Sequence, residues 1–175
     1  MDSLDHGVWR RWYLCRRTKV RVFRSSVLPF LLYRCETWTL TGDLRLRFKS
    51  FGTRSLRKII GFRWSDFVSQ EWMPRETQMR VVTCIIREHQ LQLYGHVAHF
   101  PDADPAHQIL SLREPPEWKR PMNPLCASWL QQVDQHLMEM GMGHAFAWGM
   151  VRRRPLEYLR KVDAMTRCSG ACSHT

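Results

Sequence analysis

The strongest constraint on the fold of this chain is the helical spacing of side chains between positions 44 and 60. Apolar and small residues recur there at intervals of four, three, four and four, which is the period of one helical face. That face consists of Leu44, Phe48, Phe51, Ser55 and Ile59, and a second apolar patch consists of Leu46, Leu56 and Ile60. The pattern predicts a helix that packs on two faces. Thr41 or Asp43 is expected to cap its start, and Gly61 is expected to end it in a left-handed conformation.

The rest of the chain also reads as helical, because strand-like alternation of apolar and polar residues is scarce. We therefore predict an all-α fold, an irregular bundle of about five to six helices with a Pro-rich loop and a frayed tail. The expected division is a basic helical region (1–100), a Pro-rich linker (101–125) and a C-terminal helical segment with a flexible tail (126–175). Six prolines fall between positions 101 and 124, which argues for a loop there.

Several buried faces follow from the same spacing. A helix over 20–38 is expected to be kinked or broken near Pro29, and a helix over 80–98 is expected to bury one stripe. That stripe consists of Val82, Ile85, Ile86, His89, Leu93, His96 and Val97. A helix over 128–140 stops at Gly141, and a last helix starts with Pro155 in its first turn. Their expected inward residues are Trp129, Leu130, Val133 and Leu137, and then Leu156, Leu159 and Val162.

The positive charge of the chain is concentrated in its first third. The formal net charge is +11, and residues 1–64 hold 15 Lys and Arg against four Asp and Glu, whereas residues 65–175 hold 12 against 12. Such a block attracts polyanions and speeds their encounter. Nucleic acid is the favoured partner, with an anionic membrane or simple solubility as the alternatives.

Cations and aromatic rings alternate in residues 9–24, with no acidic residue among them. Guanidinium groups pair with phosphates, and flat rings stack on unpaired bases. The alternative is a solvated basic helix whose aromatic residues, such as Trp9 and Tyr13, face the core. The candidate nucleic-acid contacts are Trp9, Arg10, Arg11, Trp12, Arg16, Arg17, Lys19, Arg21, Arg24, Arg47, Arg54, Arg57 and Lys58.

The string from Leu28 to Leu40, LPFLLYRCETWTL, resembles a segment downstream of the polymerase palm in reverse transcriptases of LINE-type (non-long-terminal-repeat) retrotransposons. The family pattern is roughly L-P-x-L-L-Y-G-C-E-T-W-T-L. Residues 63–66 and 93–97 are similar to the family's W-x-D and L-G-H-V segments. The resemblance implies a thumb-like helical region that supports a template-primer, and therefore binds RNA or an RNA/DNA hybrid. Arg34 departs from the usual Gly, and a basic Gly-Arg-Pro-Arg turn is replaced by residues 121–126.

The acidic residues that such polymerases use for catalysis are missing. The family holds its metal ions with a Tyr/Phe-x-Asp-Asp motif, and this chain has no Asp-Asp dipeptide. Asp102 and Asp104 are interpreted as turn formers in a Pro-flanked loop. No nucleophile with a base and no phosphate-binding loop is evident. We therefore predict a protein that is not an enzyme, with no catalytic residues, no cofactor and no metal.

Zinc binding is the weaker alternative. Cys168, Cys172 and His174 lie close in sequence, and His144 or Cys126 could complete four ligands, although standard zinc spacing is two tight pairs. A second histidine group is His89, His96 and His99, of which the first two are expected to be hydrogen-bonded residues of the core.

The remaining expectations concern location and rival functions. Six scattered cysteines without a secreted pattern, and a longest apolar run of only Val27 to Tyr33, predict an intracellular, nuclear or cytoplasmic protein that does not enter a membrane. The rival is a protein-interaction scaffold, or an unselected retrotransposon relic. Cut free from a palm domain, it would expose apolar residues and bind a protein or itself. Those residues are Phe30, Leu31, Trp38 and Trp64.

Overall fold

A computed structural model describes residues 5–63, 65–67, 77–111 and 128–168 of the chain. Every regular element in these ranges is helical, which confirms the all-α prediction. They contain eight α-helices, slightly more than the five to six expected: α1 Arg16–Val22, α2 Leu28–Leu31, α3 Gly42–Ile60, α4 Val82–Ala98, α5 Pro105–Ser111, α6 Trp129–Glu139, α7 His144–Arg153 and α8 Pro155–Cys168. Within the same ranges no helix has the length and apolar character needed to cross a membrane.

The chain folds into two compact units. The described residues of the first, here called the basic unit, are 5–35, 42–63, 65–67 and 77–85. Those of the second, here called the neutral unit, are 36–41, 86–111 and 128–168. The division into a basic region, a linker and a C-terminal segment stays a prediction, since its limit at residue 125 lies outside the described residues.

The helical run of the basic unit continues through Pro29 instead of breaking there. Between α1 and α2, residues Phe23–Val27 form a π-helical turn, and the amide of Leu28 donates to the carbonyl of Phe23, five residues back. Proline lacks an amide donor, and its ring crowds the carbonyl four residues earlier. A wider π turn just before Pro29 accommodates both defects, so residues 16–31 stay helical.

Helix α3 confirms the prediction from residues 44–60. It begins at Gly42 with Asp43 in its first turn, where a negative charge favours the helix dipole. Gly61 ends it with φ of 89°, and the amides of Gly61 and Phe62 both donate to the carbonyl of Arg57. Its buried residues are Ser55, Leu56, Ile59 and Ile60. Leu44 and Leu46 are exposed, so Leu44 does not belong to the predicted stripe and Leu46 does not belong to the second apolar patch.

The neutral unit has a continuous hydrophobic core built from α4, α6, α7 and α8. Its fully buried residues include Leu91, Tyr94, Val133, Leu137, Val151, Tyr158 and Val162. The Tyr158 ring lies directly on Gly95, where an added Cβ would sit 2.7 Å from a ring carbon. The Tyr158 hydroxyl donates to the carbonyl of Leu91 over 2.8 Å. Gly95 is therefore required for the close approach of α8 to α4.

The segment Glu36–Thr41 of the neutral unit is held by side chains from two helices. Gln132 accepts a hydrogen bond from the amide of Leu40 at 2.9 Å and donates to the Leu40 carbonyl. Trp129 donates from its indole nitrogen to the Glu36 carbonyl at 2.7 Å, and Gln90 donates to the Trp38 carbonyl at 2.6 Å. These hydrogen bonds satisfy backbone groups of a segment that itself belongs to no β-sheet or α-helix.

Two helices were missed by the sequence analysis, which explains the low helix count. Helix α5 lies in the segment interpreted as a Pro-rich loop, where Pro105 takes the first helical position and Asp104 caps the Ala106 amide at 2.8 Å. Helix α7 occupies the Gly/Met/Trp-rich stretch between Gly141 and Pro155, where the sequence pattern predicts no helix. Its buried residues, Ala147, Met150 and Val151, follow a helical period that the neighbouring glycines obscure.

The expected inward faces of α4 and α8 are partly wrong. In α4 the fully buried side chains of the neutral unit are Ile86, Gln90, Leu91, Tyr94 and Ala98, whereas His96 is exposed. In α8 Tyr158 and Val162 point inward, while Leu156 and Leu159 are exposed. Both helices carry apolar residues on more than one side, so periodicity alone does not select the side that meets a neighbour.

Candidate nucleic-acid interface

The two units differ sharply in charge. In their described residues the basic unit holds 16 Lys and Arg against three Asp and Glu, and the neutral unit holds seven against eight. The positive field expected from the sequence therefore belongs to one unit. All 13 candidate contact residues lie in it.

Helix α1 presents the clearest cationic surface. Arg16, Arg17 and Arg21 are exposed, and Phe23 at the end of the helix is buried. Arg17 and Arg21 are one turn apart, so their charges repel each other unless an anion lies between them. In the described part of the chain, none of these three arginines has an ion pair or hydrogen bond from its side chain.

Two other predicted cations, Lys19 and Arg24, have structural roles within the basic unit. The ammonium group of Lys19 donates to the carbonyl of Trp9 at 2.7 Å. The guanidinium of Arg24 donates to the carbonyls of Thr77 and Gln78 and lies 3.2 Å from the Met79 sulfur. Because these groups satisfy protein acceptors, they add positive field but are less available for direct phosphate contacts.

Arg57 is held in the same way, by the carbonyls of Arg63 at 3.0 Å and Asp66 at 2.6 Å. It therefore fixes the chain that follows α3.

The remaining cations of the prediction vary in availability. Arg54 is exposed and has no recorded side-chain partner among the described residues, whereas Arg47 forms an exposed ion pair with Asp43 at 2.9 Å. Such surface pairs contribute only about 0.2–1 kcal/mol, so a phosphate can displace the carboxylate. Arg10 and the half-buried Lys58 both have partners within the protein. Arg11 lies 5.9 Å from the ring centroid of Tyr13.

The two tryptophans proposed to stack on bases have opposite environments. Trp9 is only 3% exposed and packs edge-on against Phe23, so its ring is not accessible to a base. Trp12 is 93% exposed and adjoins the exposed Tyr13. Trp9 therefore fits the alternative in which the aromatic residues face the core, whereas Trp12 is exposed, as stacking on a base requires.

A second exposed aromatic group was not among the candidate contacts. Phe30 is 88% exposed, Tyr33 is 69% exposed, and the guanidinium carbon of Arg34 lies 5.6 Å from the Tyr33 ring centroid. Arg34 has a φ of 54°, a left-handed backbone conformation that favours Gly.

The titration of Cys15 reflects its place at the start of α1. Its thiol lies 3.1 Å from the Thr18 hydroxyl. That hydrogen bond, the backbone amides of Thr18 and Arg17 and the charge of Arg17 together lower the pKa of the thiol. Cys35 and Cys84 are buried.

Two apolar cavities in the described part of the chain do not resemble sites for nucleotides. One, of about 70 Å³, lies in the basic unit beside Phe48, Leu56 and Met79. It is smaller than the ~300 Å³ at which small-molecule pockets begin. The other, about 270 Å³, lies in the neutral unit between Leu93, Ile109 and Trp129 and has no charged residue in its lining.

The alternative metal and acidic sites are placed as follows. Cys126, Cys172 and His174 lie outside the described residues, and His144 is bonded to Asp134 at 2.7 Å. Asp102 lies in a turn, but its carboxylate accepts a hydrogen bond from Arg152 at 2.7 Å, and Asp104 caps α5. The histidine group of α4 is not uniformly buried, because His89 is half-buried and both His96 and His99 are exposed.

Comparison with known proteins identifies no relative of this chain. No protein-family model, no curated protein and no solved structure matches the chain.

Proposed function

We propose that this protein is a fragment derived from the region after the palm of a LINE-type reverse transcriptase, and that it binds RNA or an RNA/DNA hybrid without catalysing a reaction. The string from Leu28 to Leu40 supports the origin. The binding proposal rests on one observation: in the described part of the chain, Arg16, Arg17 and Arg21 are exposed without acidic partners, and the described residues of their unit hold 16 cations against three acids.

In the described residues of the basic unit, most of the positive charge has no acidic counterpart. Phosphates supply the missing negative charge, and releasing their condensed counterions drives association. Arg54 extends the cationic surface to α3, which packs against α1. Lys19 and Arg24 connect the helical run to the backbone of Trp9, Thr77 and Gln78, and Arg57 connects α3 to the chain that follows it.

The test is a salt titration of binding to a labelled single-stranded RNA. The variant Arg17→Gln/Arg21→Gln removes two phosphate contacts, so the slope of log K against log salt should become shallower by about 1.4. The matched control is Arg153→Gln/Arg160→Gln, which removes two exposed, unpaired charges from the neutral unit. An equal change of slope in both variants, or no measurable affinity of the wild-type protein at low salt, contradicts the proposal.

A second candidate function is a protein-interaction scaffold. It is favoured by the exposed rings of Trp12, Phe30 and Tyr33 in the basic unit. Sedimentation at several protein concentrations separates the two candidates. Self-association without RNA binding would favour the scaffold.

A further inference from the structure

We propose that Phe30, Tyr33 and Arg34 form a stacking platform for the unpaired bases of a single-stranded nucleic acid. The inference rests on the proposed function and deepens it, because it names the substrate class. Open single strands, and not closed duplexes, are the ligands of this surface.

The first observation is the exposure of two neighbouring rings. Phe30 and Tyr33 are three residues apart at the end of the helical run and are 88% and 69% exposed. Covering exposed apolar surface of this kind is favourable, because it removes that surface from water. An unpaired base offers a flat π face of matching size, and stacking of this kind tolerates any base sequence.

The second observation is the geometry of Arg34. The amide of Cys35 donates to the Leu32 carbonyl at 3.1 Å and closes a turn, in which Arg34 occupies a left-handed position that favours Gly. An arginine there is strained. It nevertheless places its guanidinium over the Tyr33 ring. A planar cation beside an exposed ring can stack on a base and pair with the adjoining phosphate.

Charge decides between a nucleic acid and a protein as the occupant. A second copy of this chain would bring together two basic units, each with a large cationic excess, and like charges at an interface oppose association. A ligand that complements the patch must be anionic and must also carry flat apolar rings. Unpaired nucleotides have both properties, whereas a duplex keeps its base faces stacked inside.

A comparable group lies at the other end of the same helical run. Trp12 and Tyr13 precede α1, and Arg11 lies over the Tyr13 ring. The helical run between the two groups, residues 16–31, is on the order of 20 Å long. It carries the exposed cations Arg16, Arg17 and Arg21. One strand that reaches both groups would bind more tightly than a short strand that reaches one.

The experiment compares single-stranded RNA with a blunt RNA/DNA hybrid of equal length, about 16 nucleotides, the upper end of single-strand site sizes. Wild-type protein should prefer the single strand. In Phe30→Ala/Tyr33→Ala, affinity for the single strand should fall on the order of 10-fold or more, while affinity for the hybrid stays within about 2-fold. Both side chains are exposed, and far-ultraviolet circular dichroism checks that the helices remain.

Two further variants sharpen the result. Phe146→Ala removes an exposed ring from the neutral unit and should leave both affinities unchanged. Arg34→Lys retains the charge but lacks the guanidinium plane, so it should weaken single-strand binding and spare the hybrid.

The outcomes separate this inference from the function on which it rests. Equal losses for both ligands, or no loss for the single strand, overturn the platform while hybrid binding still supports the proposed function. Self-association that the double variant abolishes, with single-strand affinity intact, also overturns it and assigns the patch to a protein. If wild-type protein binds neither ligand, the proposed function fails together with the platform.

Discussion

The basic and neutral units use their polar groups in opposite ways. In the described part of the neutral unit, four of seven cations form ion pairs with acids of the same unit. Its acids and cations are also nearly equal in number. The basic unit has too few acids for such pairing, and it holds Lys19, Arg24 and Arg57 on carbonyl oxygens instead. The unbalanced charge of its described residues produces a positive field that attracts anions.

The distribution of aromatic residues follows the same division. Of the six exposed Phe, Tyr and Trp side chains in the described residues, five lie in the basic unit: Trp12, Tyr13, Phe30, Tyr33 and Phe67. The tyrosines of the neutral unit, Tyr94 and Tyr158, are buried. In the described residues, the aromatic rings of the neutral unit are therefore mostly used for internal packing, whereas most of those that solvent reaches belong to the basic unit.

The largest expected effect tests how strongly the neutral unit depends on internal hydrogen bonds. Gln132→Ala leaves the buried amide and carbonyl of Leu40 without their side-chain partner. The free energy of unfolding should fall by about 3 kcal/mol, because each unsatisfied buried group costs about 1–3 kcal/mol. Urea denaturation measures it. The exposed Gln135→Ala on the same helix is the control and should change stability by less than about 0.5 kcal/mol.

The next prediction concerns the contact between α8 and α4. Gly95→Ala should destabilise the protein by about 2 kcal/mol, because the added methyl group clashes with the Tyr158 ring. Gly149→Ala in α7 is the matched control, since no atom lies within 4 Å of its added Cβ. There the better helix former should stabilise by up to about 1 kcal/mol. Thermal unfolding of both variants measures the difference, and a shift of the same sign in both would refute the packing argument.

Replacing the two buried tyrosines of the neutral unit by Phe should change the free energy of unfolding by a smaller amount, in a direction that differs between them. Tyr158→Phe removes a hydrogen bond to Leu91 and should lower the free energy of unfolding by about 1 kcal/mol. Tyr94→Phe removes a buried hydroxyl that has no partner, so stability should stay constant or rise. Denaturant titrations of the two variants, run side by side, check the sign.

The same tyrosines set an alkaline limit for the neutral unit. Burial raises the pKa of Tyr94 and Tyr158 above the ordinary range, with smaller contributions from Asp134 and from Tyr94 respectively. A folded-state pKa above the unfolded value means that stability is complete below pH ~10 and declines as the pH rises further. Unfolding free energies measured between about pH 8 and 11 should show this decline, and each Phe variant should make it shallower.

The smallest expected effect lies in the basic unit. Arg34→Gly relieves a left-handed backbone conformation, and after the entropy of Gly is subtracted the gain should be about 0.5 kcal/mol. Single-strand affinity should fall in the same variant. Arg34→Ala, which keeps the backbone strain and also loses the guanidinium, should weaken binding without the gain in stability. Unchanged stability in Arg34→Gly would contradict the inference that the backbone at Arg34 is strained.

The sequence by itself determined the helical class, several helix ends and the uneven charge. Gly61 and Gly141 end their helices with positive φ, and Pro155 begins α8, as predicted. These features follow from local geometry, because helical period, capping and the freedom of Gly depend on a few adjacent residues. The candidate cations were likewise identified from sequence, since they cluster along the chain.

Only the tertiary structure decided which side of each helix is buried and which cations are available. Trp9 and Trp12 are three residues apart, yet one is buried against Phe23 and the other is exposed. Arg21 and Arg24 look equivalent in sequence, but Arg24 is bonded to residues more than 50 positions away. Burial and hydrogen bonding depend on which distant segment packs opposite a side chain, and local periodicity contains no information about that neighbour.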